Sequence, residues 1–300
     1  MKNFIKQLII IVLSFIPRKK KNRIFTSFFA RNYSGGPGRF LENLKNGLKL
    51  SNIFLERFVL SGCNSVLILS NSPGNLFLNF CKKKKIKTVL RADGFYLPYM
   101  LSKSDNRSLK LRKYREEINN RMQKDISMCD WIIYQSLFSK EMADQYLYNR
   151  TSNFSIIYNG VDTGYFQPVQ KQNTGLKLLM LGAWRDPELF ISSLNVFIKV
   201  NAEIACSLKI AGQMTKGVEM AYKKWLAFHA DICPKIQYAG IVSYENLPSV
   251  INDCDVSLHL KSGDWCPNAV LETMACAIPV VCHNHGGTKE LVGGGGEIIT

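Results

Sequence analysis

The sequence predicts an α/β protein of two domains, each a parallel sheet with helices crossing between its strands. Three observations lead there. Short apolar runs rich in β-formers alternate with helical patterns along nearly the whole chain, which is what crossover connections between parallel strands require. The 300 residues suffice for two domains of ordinary size. A polar stretch, Gln167–Gly175, breaks the alternation midway and reads as a linker.

In chain order, Ile24–Phe29, Val66–Ser70, Thr88–Arg91 and Trp131–Gln135 read as strands. Helices are expected over Arg39–Leu50, Asn75–Lys84 and Ser108–Met128. After the linker, strands are expected at Lys177–Trp184, Leu208–Ala211, Ile236–Ala239, Val256–Leu260 and Pro279–Cys282. Helices Pro187–Val200, Val218–His229, Tyr244–Asn252 and Pro267–Cys276 connect them. The expected division is a segment 1–23, a first domain 24–166, the linker 167–175 and a second domain 176–300.

A hydrophobic fraction of 46% fits folded cores. Nine cysteines without a C-x-x-C pair or Cys/His ligand spacing argue for free thiols in a reducing compartment, against a disulfide framework or a zinc site. Charge is uneven: residues 1–165 hold 28 Lys+Arg and 11 Asp+Glu, a net of +17, and residues 166–300 hold 11 and 12, a net of −1. The first half therefore attracts whatever anionic partner the protein has. Nucleic acid is not expected, because the interleaved aromatics and motifs of such binders are missing. The start, MKNFIKQLIIIVLSFIPRKKKNR, has an apolar run Leu8–Ile16 too short to span a bilayer, followed by Arg18 to Lys21 and Arg23. The favoured reading is a segment lying on an anionic membrane surface; a buried helix and a signal or signal-anchor are the alternatives.

The chemistry concentrates between Asp255 and Val292. A buried strand ends at Leu260, a loop carries Asp264, and Pro267 suits the first turn of a helix. Ligands of open α/β sheets sit beyond the carboxyl ends of strands, where free helix N–H groups bind phosphate. Glu272 lies about one and a half turns into that helix, where a carboxylate can accept two hydrogen bonds from a ribose diol. The next strand delivers His283-Asn284-His285-Gly286-Gly287, whose glycines let backbone approach a ligand. His283 and His285 face opposite sides of that segment and lack further ligands, so no metal site is expected. His259 reads as a core histidine.

This segment resembles the signature of GT-B glycosyltransferases of family 4, the group 1 glycosyl transferases: Asp264, seven residues, Glu272, then Met274-Ala275-Cys276, Pro279-Val280-Val281 and Gly286-Gly287. Cys266-Pro267-Asn268 is a familiar variant before the helix. The resemblance continues elsewhere. Ser34-Gly35-Gly36-Pro37-Gly38-Arg39 is similar to the glycine-rich loop after the first strand, and Arg91-Ala92-Asp93-Gly94 to a cleft-facing loop. Trp131 to Ser136 resembles the last strand of the acceptor domain, and Asn159-Gly160-Val161-Asp162 with Phe166 and Pro168 the domain junction.

The resemblance implies two Rossmann-like domains, the first binding a saccharide or lipid-linked acceptor and the second a nucleotide-diphosphate sugar. It implies retention at the anomeric carbon and no cofactor or metal. Glu272 would bind the donor ribose, and Asp264 would lie near the transferred sugar, shortened from the family's usual Glu. Pro267, Asn268, Gly286 and Gly287 would line the donor site, and Gly35, Gly36, Gly38 and Arg39 would approach phosphate or acceptor. Asp93 would face the reacting groups. The family places an Arg/Lys pair after the second domain's first strand; here Ala183 and Glu188 stand there, and Arg185 or Lys261 would substitute. The ending on Ile298-Ile299-Thr300, without the family's further helices, is read as a C-terminal truncation. A cytoplasmic enzyme peripheral to the inner membrane face, working in cell-surface polysaccharide synthesis, is the expectation. A sugar-nucleotide epimerase of similar fold and a non-catalytic binding scaffold are the alternatives.

Overall fold

The computed structural model describes residues 7, 10–11, 23–26, 36–56, 60–98, 109–170 and 175–300. The chain divides into two compact units, the first ending at Tyr158 and the second beginning at Asn159.

The first unit runs β1 (Arg23–Thr26), α1 (Gly36–Leu50), β2 (Phe54–Glu56), β3 (Ser65–Leu69), α2 (Asn75–Lys83), β4 (Lys87–Ala92), α3 (Leu109–Met128), β5 (Trp131–Tyr134), α4 (Leu137–Tyr146) and β6 (Phe154–Ile156). Its six strands lie in the order β2-β1-β3-β4-β5-β6, all parallel. Phe25, Val66, Ile68, Leu90 and Ile132 are fully buried, as strands covered on both faces require. The sequence did not mark β2 and β6 as strands: each has three residues at a sheet edge, too few to display a period of two. Ser136 caps α4, its hydroxyl accepting from Ser139 N at 3.0 Å.

Of the segment 1–23, Gln7, Ile10, Ile11 and Arg23 are described; the remainder, including the basic run Arg18 to Lys21, lies outside the described residues. Gln7 and Ile10 are helical and buried at 8% and 2% exposure. The Gln7 carbonyl oxygen accepts from Phe77 N at 3.2 Å, in the first turn of α2, which has no side-chain cap of its own. At these positions the segment faces protein, as the buried-helix alternative has it.

The second unit runs β7 (Leu176–Leu181), α5 (Pro187–Glu203), β8 (Cys206–Ala211), α6 (Lys216–Phe228), β9 (Ile236–Gly240), α7 (Leu247–Asn252), β10 (Val256–His259), α8 (Asn268–Ala275), β11 (Val280–His283), α9 (Thr288–Val292) and β12 (Gly296–Ile299). The order is β12-β11-β10-β7-β8-β9, again parallel throughout. Alternate residues of β7 serve opposite cores. Leu178 and Met180 pack with Phe190, Leu194 and Phe197 of α5, and Leu179 and Leu181 pack with Phe166, Ile251 and Ile278. Asp186 caps α5, accepting from Glu188 N at 3.0 Å and Leu189 N at 3.2 Å, with Pro187 in the first turn.

The expected linker 167–175 does not separate the units. Phe166 is buried in the second core, Val169 N donates to Asn252 Oδ1 at 3.0 Å, and Asn252 Nδ2 donates to Gln167 O at 3.0 Å. A polar composition marks solvent on one side of a segment; the other side here is stitched to α7, so the division falls earlier, after Tyr158.

Candidate donor site at the switch point of the second sheet

From β7 the chain builds outward through β8 to β9, then returns to place β10 on the opposite flank of β7. The reversal opens a crevice between the carboxyl ends of β7 and β10, where ligands of such sheets bind. The β7 turn there is Gly182-Ala183-Trp184-Arg185, and the β10 turn is Leu260 to Trp265, leading into α8.

Lys261 crosses from the β10 turn to the β7 turn. Its ammonium donates to Ala183 O at 3.2 Å and lies 4.3 Å from the centroid of the Trp184 ring. It also fills the space over Gly182, where φ is +133° and an added Cβ would stand 2.5 Å from Nζ. Burial pushes the Lys261 ammonium down to about 8; Asp264 opposes this and Arg185 adds to it. The charges of Lys261, Arg185 and Asp264 are thus mutually felt at one crevice. No pair of cations follows β7 itself, so the positive charge reaches that turn from the other side.

Asp264 is fixed by its backbone. Gly287 N donates to Asp264 O at 2.8 Å, and Gly263 N donates to His285 O at 2.8 Å. Gly286, at φ +131°, lies flat against this segment; a Cβ there would meet Asp264 O at 3.0 Å and Asp264 N at 3.1 Å. The acidic loop and the Gly-Gly loop are therefore one clamp. Ser262 Oγ and His285 Nδ1 meet at 3.0 Å, and His285 N donates to His283 Nδ1 at 3.1 Å, so both histidines take part in loop structure. Burial alone would raise the Asp264 carboxyl, but contact with His259, the Lys261 charge and the Trp265 N–H outweigh it and hold the group below the usual carboxylate range.

Helix α8 begins at Asn268 after Pro267, without a side-chain cap at its N-terminus. Its entry is held by Asn159, whose amide donates to Cys266 O and to Asn268 Oδ1, both at 2.8 Å. That oxygen of Asn268 is thereby engaged within the protein. Glu272, part-buried, lies in the next turn of the same helix.

In the first unit, Arg91 near the end of β4 and Asp93 just after it form an ion pair, with side chains 2% and 7% exposed. Ser70 Oγ donates to Asp93 Oδ2 at 2.6 Å, Arg91 donates to Gln135 Oε1 at 3.0 Å, and the Arg91 guanidinium lies 3.9 Å from the Phe40 ring centroid. Asp93 is thus the counter-ion of a buried arginine. Gly36, Gly38 and Arg39 open α1, and Gly35 lies outside the described residues. Two contributors escaped the sequence reading. In the sequence Asn159 reads only as part of a junction and His259 only as core; nothing in their local patterns shows the loops they meet. Among the described residues, no three His, Cys, Asp or Glu side chains gather as a metal site, and no helix is long and apolar enough to cross a membrane.

The comparisons agree with this architecture. Residues 165–298 match the family model for glycosyl transferases group 1. No curated protein sequence matches the chain. Among solved structures, sucrose-phosphate synthase (tll1590) from Thermosynechococcus elongatus superposes with a TM-score of 0.75 at 13% identity, covering 93% of this chain and 86% of that one. Anabaena Alr3699/HepE in complex with UDP-glucose gives 0.64 at 14%, covering 93% and 85%. WaaG, a glycosyltransferase involved in lipopolysaccharide biosynthesis, gives 0.62 at 11%, covering 92% and 85%. Two parallel α/β units, the second with its loops gathered at the sheet's switch point, give the chain the GT-B type of fold that these structures share. The part of the chain that matches the group 1 glycosyl transferases, residues 165–298, takes in nearly all of the second unit.

Proposed function

We propose that the protein transfers a sugar, with retention, from a nucleotide-diphosphate sugar to a saccharide or lipid-linked saccharide acceptor in cell-surface polysaccharide synthesis. The observation that carries this is the switch-point crevice, where Lys261 reaches the β7 turn beside Asp264, with Glu272 following in α8. In this reading Glu272 accepts hydrogen bonds from the donor ribose. Lys261, Arg185 and the free N–H groups of α8 face the diphosphate. As the bond from the anomeric carbon to phosphate oxygen breaks, the leaving group takes the electron pair, and these charges stabilise it. The acceptor hydroxyl oxygen bonds to the anomeric carbon, and its proton passes to the departing phosphate oxygen. Asp264 orients the transferred sugar, with Pro267, Asn268, Gly286 and Gly287 shaping the donor site. Gly35, Gly36, Gly38 and Arg39 serve the acceptor side with the Asp93 loop. UDP-glucose, held by the HepE structure, is the first donor to try.

The net positive charge of the first half supports a cytoplasmic enzyme held peripherally at an anionic membrane. With Gln7 and Ile10 buried in protein, the attachment rests on basic side chains more than on an inserted apolar face. Binding to anionic vesicles that disappears at high salt is expected; binding equal for neutral and anionic vesicles rules it out.

The donor reading is tested with a panel of nucleotide sugars by thermal shift, then Glu272→Gln by calorimetry. The substitution keeps shape and weakens charge-assisted hydrogen bonds of roughly 1.5–3 kcal/mol each, so donor affinity falls while the melting temperature holds. Unchanged affinity removes the reading. Epimerised nucleotide sugar appearing without acceptor would favour the epimerase.

A further inference from the structure

His259 closes β10, five residues before Asp264, and is 4% exposed. Burial pushes its imidazole below the ordinary range, so the ring is neutral at pH 7 and one nitrogen carries the proton. Nε2 is buried and makes no hydrogen bond. Asp264 Oδ2 stands 3.4 Å from it, slightly beyond a formed hydrogen bond. A bare Nε2 would set its lone pair against an ionised carboxylate. A protonated Nε2 has that carboxylate as its acceptor. The electrostatics therefore select the Nε2–H tautomer.

The consequence concerns the one freedom Asp264 retains. Its main chain is clamped by Gly263, Gly286 and Gly287, while its side chain is 31% exposed and meets only the Trp265 N–H and His259 within the loop. We propose that His259 is a positioning residue: its Nε2–H closes on Asp264 Oδ2 when the donor fills the crevice and fixes the direction of the carboxylate. A carboxylate on a short side chain has little reach, so its aim matters more. The inference rests on the donor-site reading for its consequence, but the His–Asp coupling is a property of the protein alone.

The test has two arms. In the first, the full chain is labelled with 15N and its histidine ring nitrogens are observed without ligand. His259 is assigned by the signal lost in His259→Gln. A neutral Nε2–H tautomer is expected, perturbed by Asp264→Ala and unmoved by Glu272→Gln. An Nδ1–H tautomer, or signals indifferent to Asp264→Ala, overturns the proposal, whether or not the chain transfers sugar. In the second arm, with the nucleotide sugar that gives turnover, His259→Leu lowers kcat roughly tenfold to hundredfold, as misplacing a positioned group commonly does. Donor KM stays within about threefold, because Glu272 and Lys261 still bind the nucleotide part. His259→Gln, whose amide N–H can stand near the place of Nε2–H, recovers most of the rate. Equal rates in the two variants, or a loss that tracks the melting temperature, overturn it. Absence of turnover with every donor counts against the transferase reading and leaves the first arm decisive.

Discussion

Gly286→Ala tests whether the acidic loop and the Gly-Gly loop form one clamp. At φ +131° an alanine is strained, and its Cβ would stand 3.0 Å from Asp264 O, 3.1 Å from Asp264 N and 3.2 Å from Gly263 N. These are backbone atoms, which cannot swing aside as a flexible side chain would. Strain of this kind costs about 1–3 kcal/mol. Relief by separating the loops loses the 2.8 Å bonds Gly287 N to Asp264 O and Gly263 N to His285 O, at about 0.5–1.5 kcal/mol each. The total is roughly 2–6 kcal/mol, a fall of about 6–18 °C in the melting temperature of a unit this size. If the loops part instead of unfolding, donor binding is lost with less change in melting. Gly294→Ala is the control, because a Cβ there meets nothing within 4 Å. Differential scanning calorimetry with and without nucleotide sugar reads both quantities. A Gly286→Ala protein that melts within about a degree of wild type and binds donor equally would refute the clamp.

Three further outcomes are expected. Asp93→Ala leaves the buried Arg91 guanidinium without its counter-ion, and removing one partner of a buried pair costs about 3–5 kcal/mol; a chemical denaturation curve of unaltered midpoint would contradict this. Lys261 loses its proton as pH rises through about 8, so the part of donor affinity that depends on its charge is present below that value and declines above it. Calorimetry from pH 7 to 9 should show that decline in the wild type and not in Lys261→Met. Asn159→Ala removes both 2.8 Å bonds that hold the entry to α8, costing about 1–3 kcal/mol and weakening donor binding several-fold; equal stability and affinity would show that the helix is held otherwise.

The strands that form the switch point were legible because they are apolar and largely buried, so Val256–Leu260 was found almost whole, while Lys177–Trp184 overran β7, which ends at Leu181 before the Gly182 turn. The edge strands β2 and β6 were not, since three residues with none of them buried carry no pattern. Asp264, Glu272 and the two glycines could be found by spacing, because one loop, one helix and one strand end carry them in sequence. Lys261 could be suspected but not placed: its side chain reaches a turn 78 residues earlier in the chain. Asp93 shows the opposite difficulty. A carboxylate beside a glycine in a loop reads as functional, and only the three-dimensional fold brings Ser70 and Gln135 to it. Gln7 is of the same kind, a polar residue in an apolar run whose partner lies 70 residues away.

The thiols give the molecule its own clock. Eight of the nine cysteines are buried and Cys233 is half-buried, and burial pushes the Cys81 thiol up to about 12. A protonated, enclosed sulfur does not react until its surroundings open. Timed alkylation read by mass spectrometry should mark Cys233 first. Cys63, Cys81 and Cys129 would then report the breathing of the first unit, while Cys206, Cys254, Cys266, Cys276 and Cys282 report the second. Cys266, between Asn159 and the start of α8, would be slowed by a bound donor before any of the others.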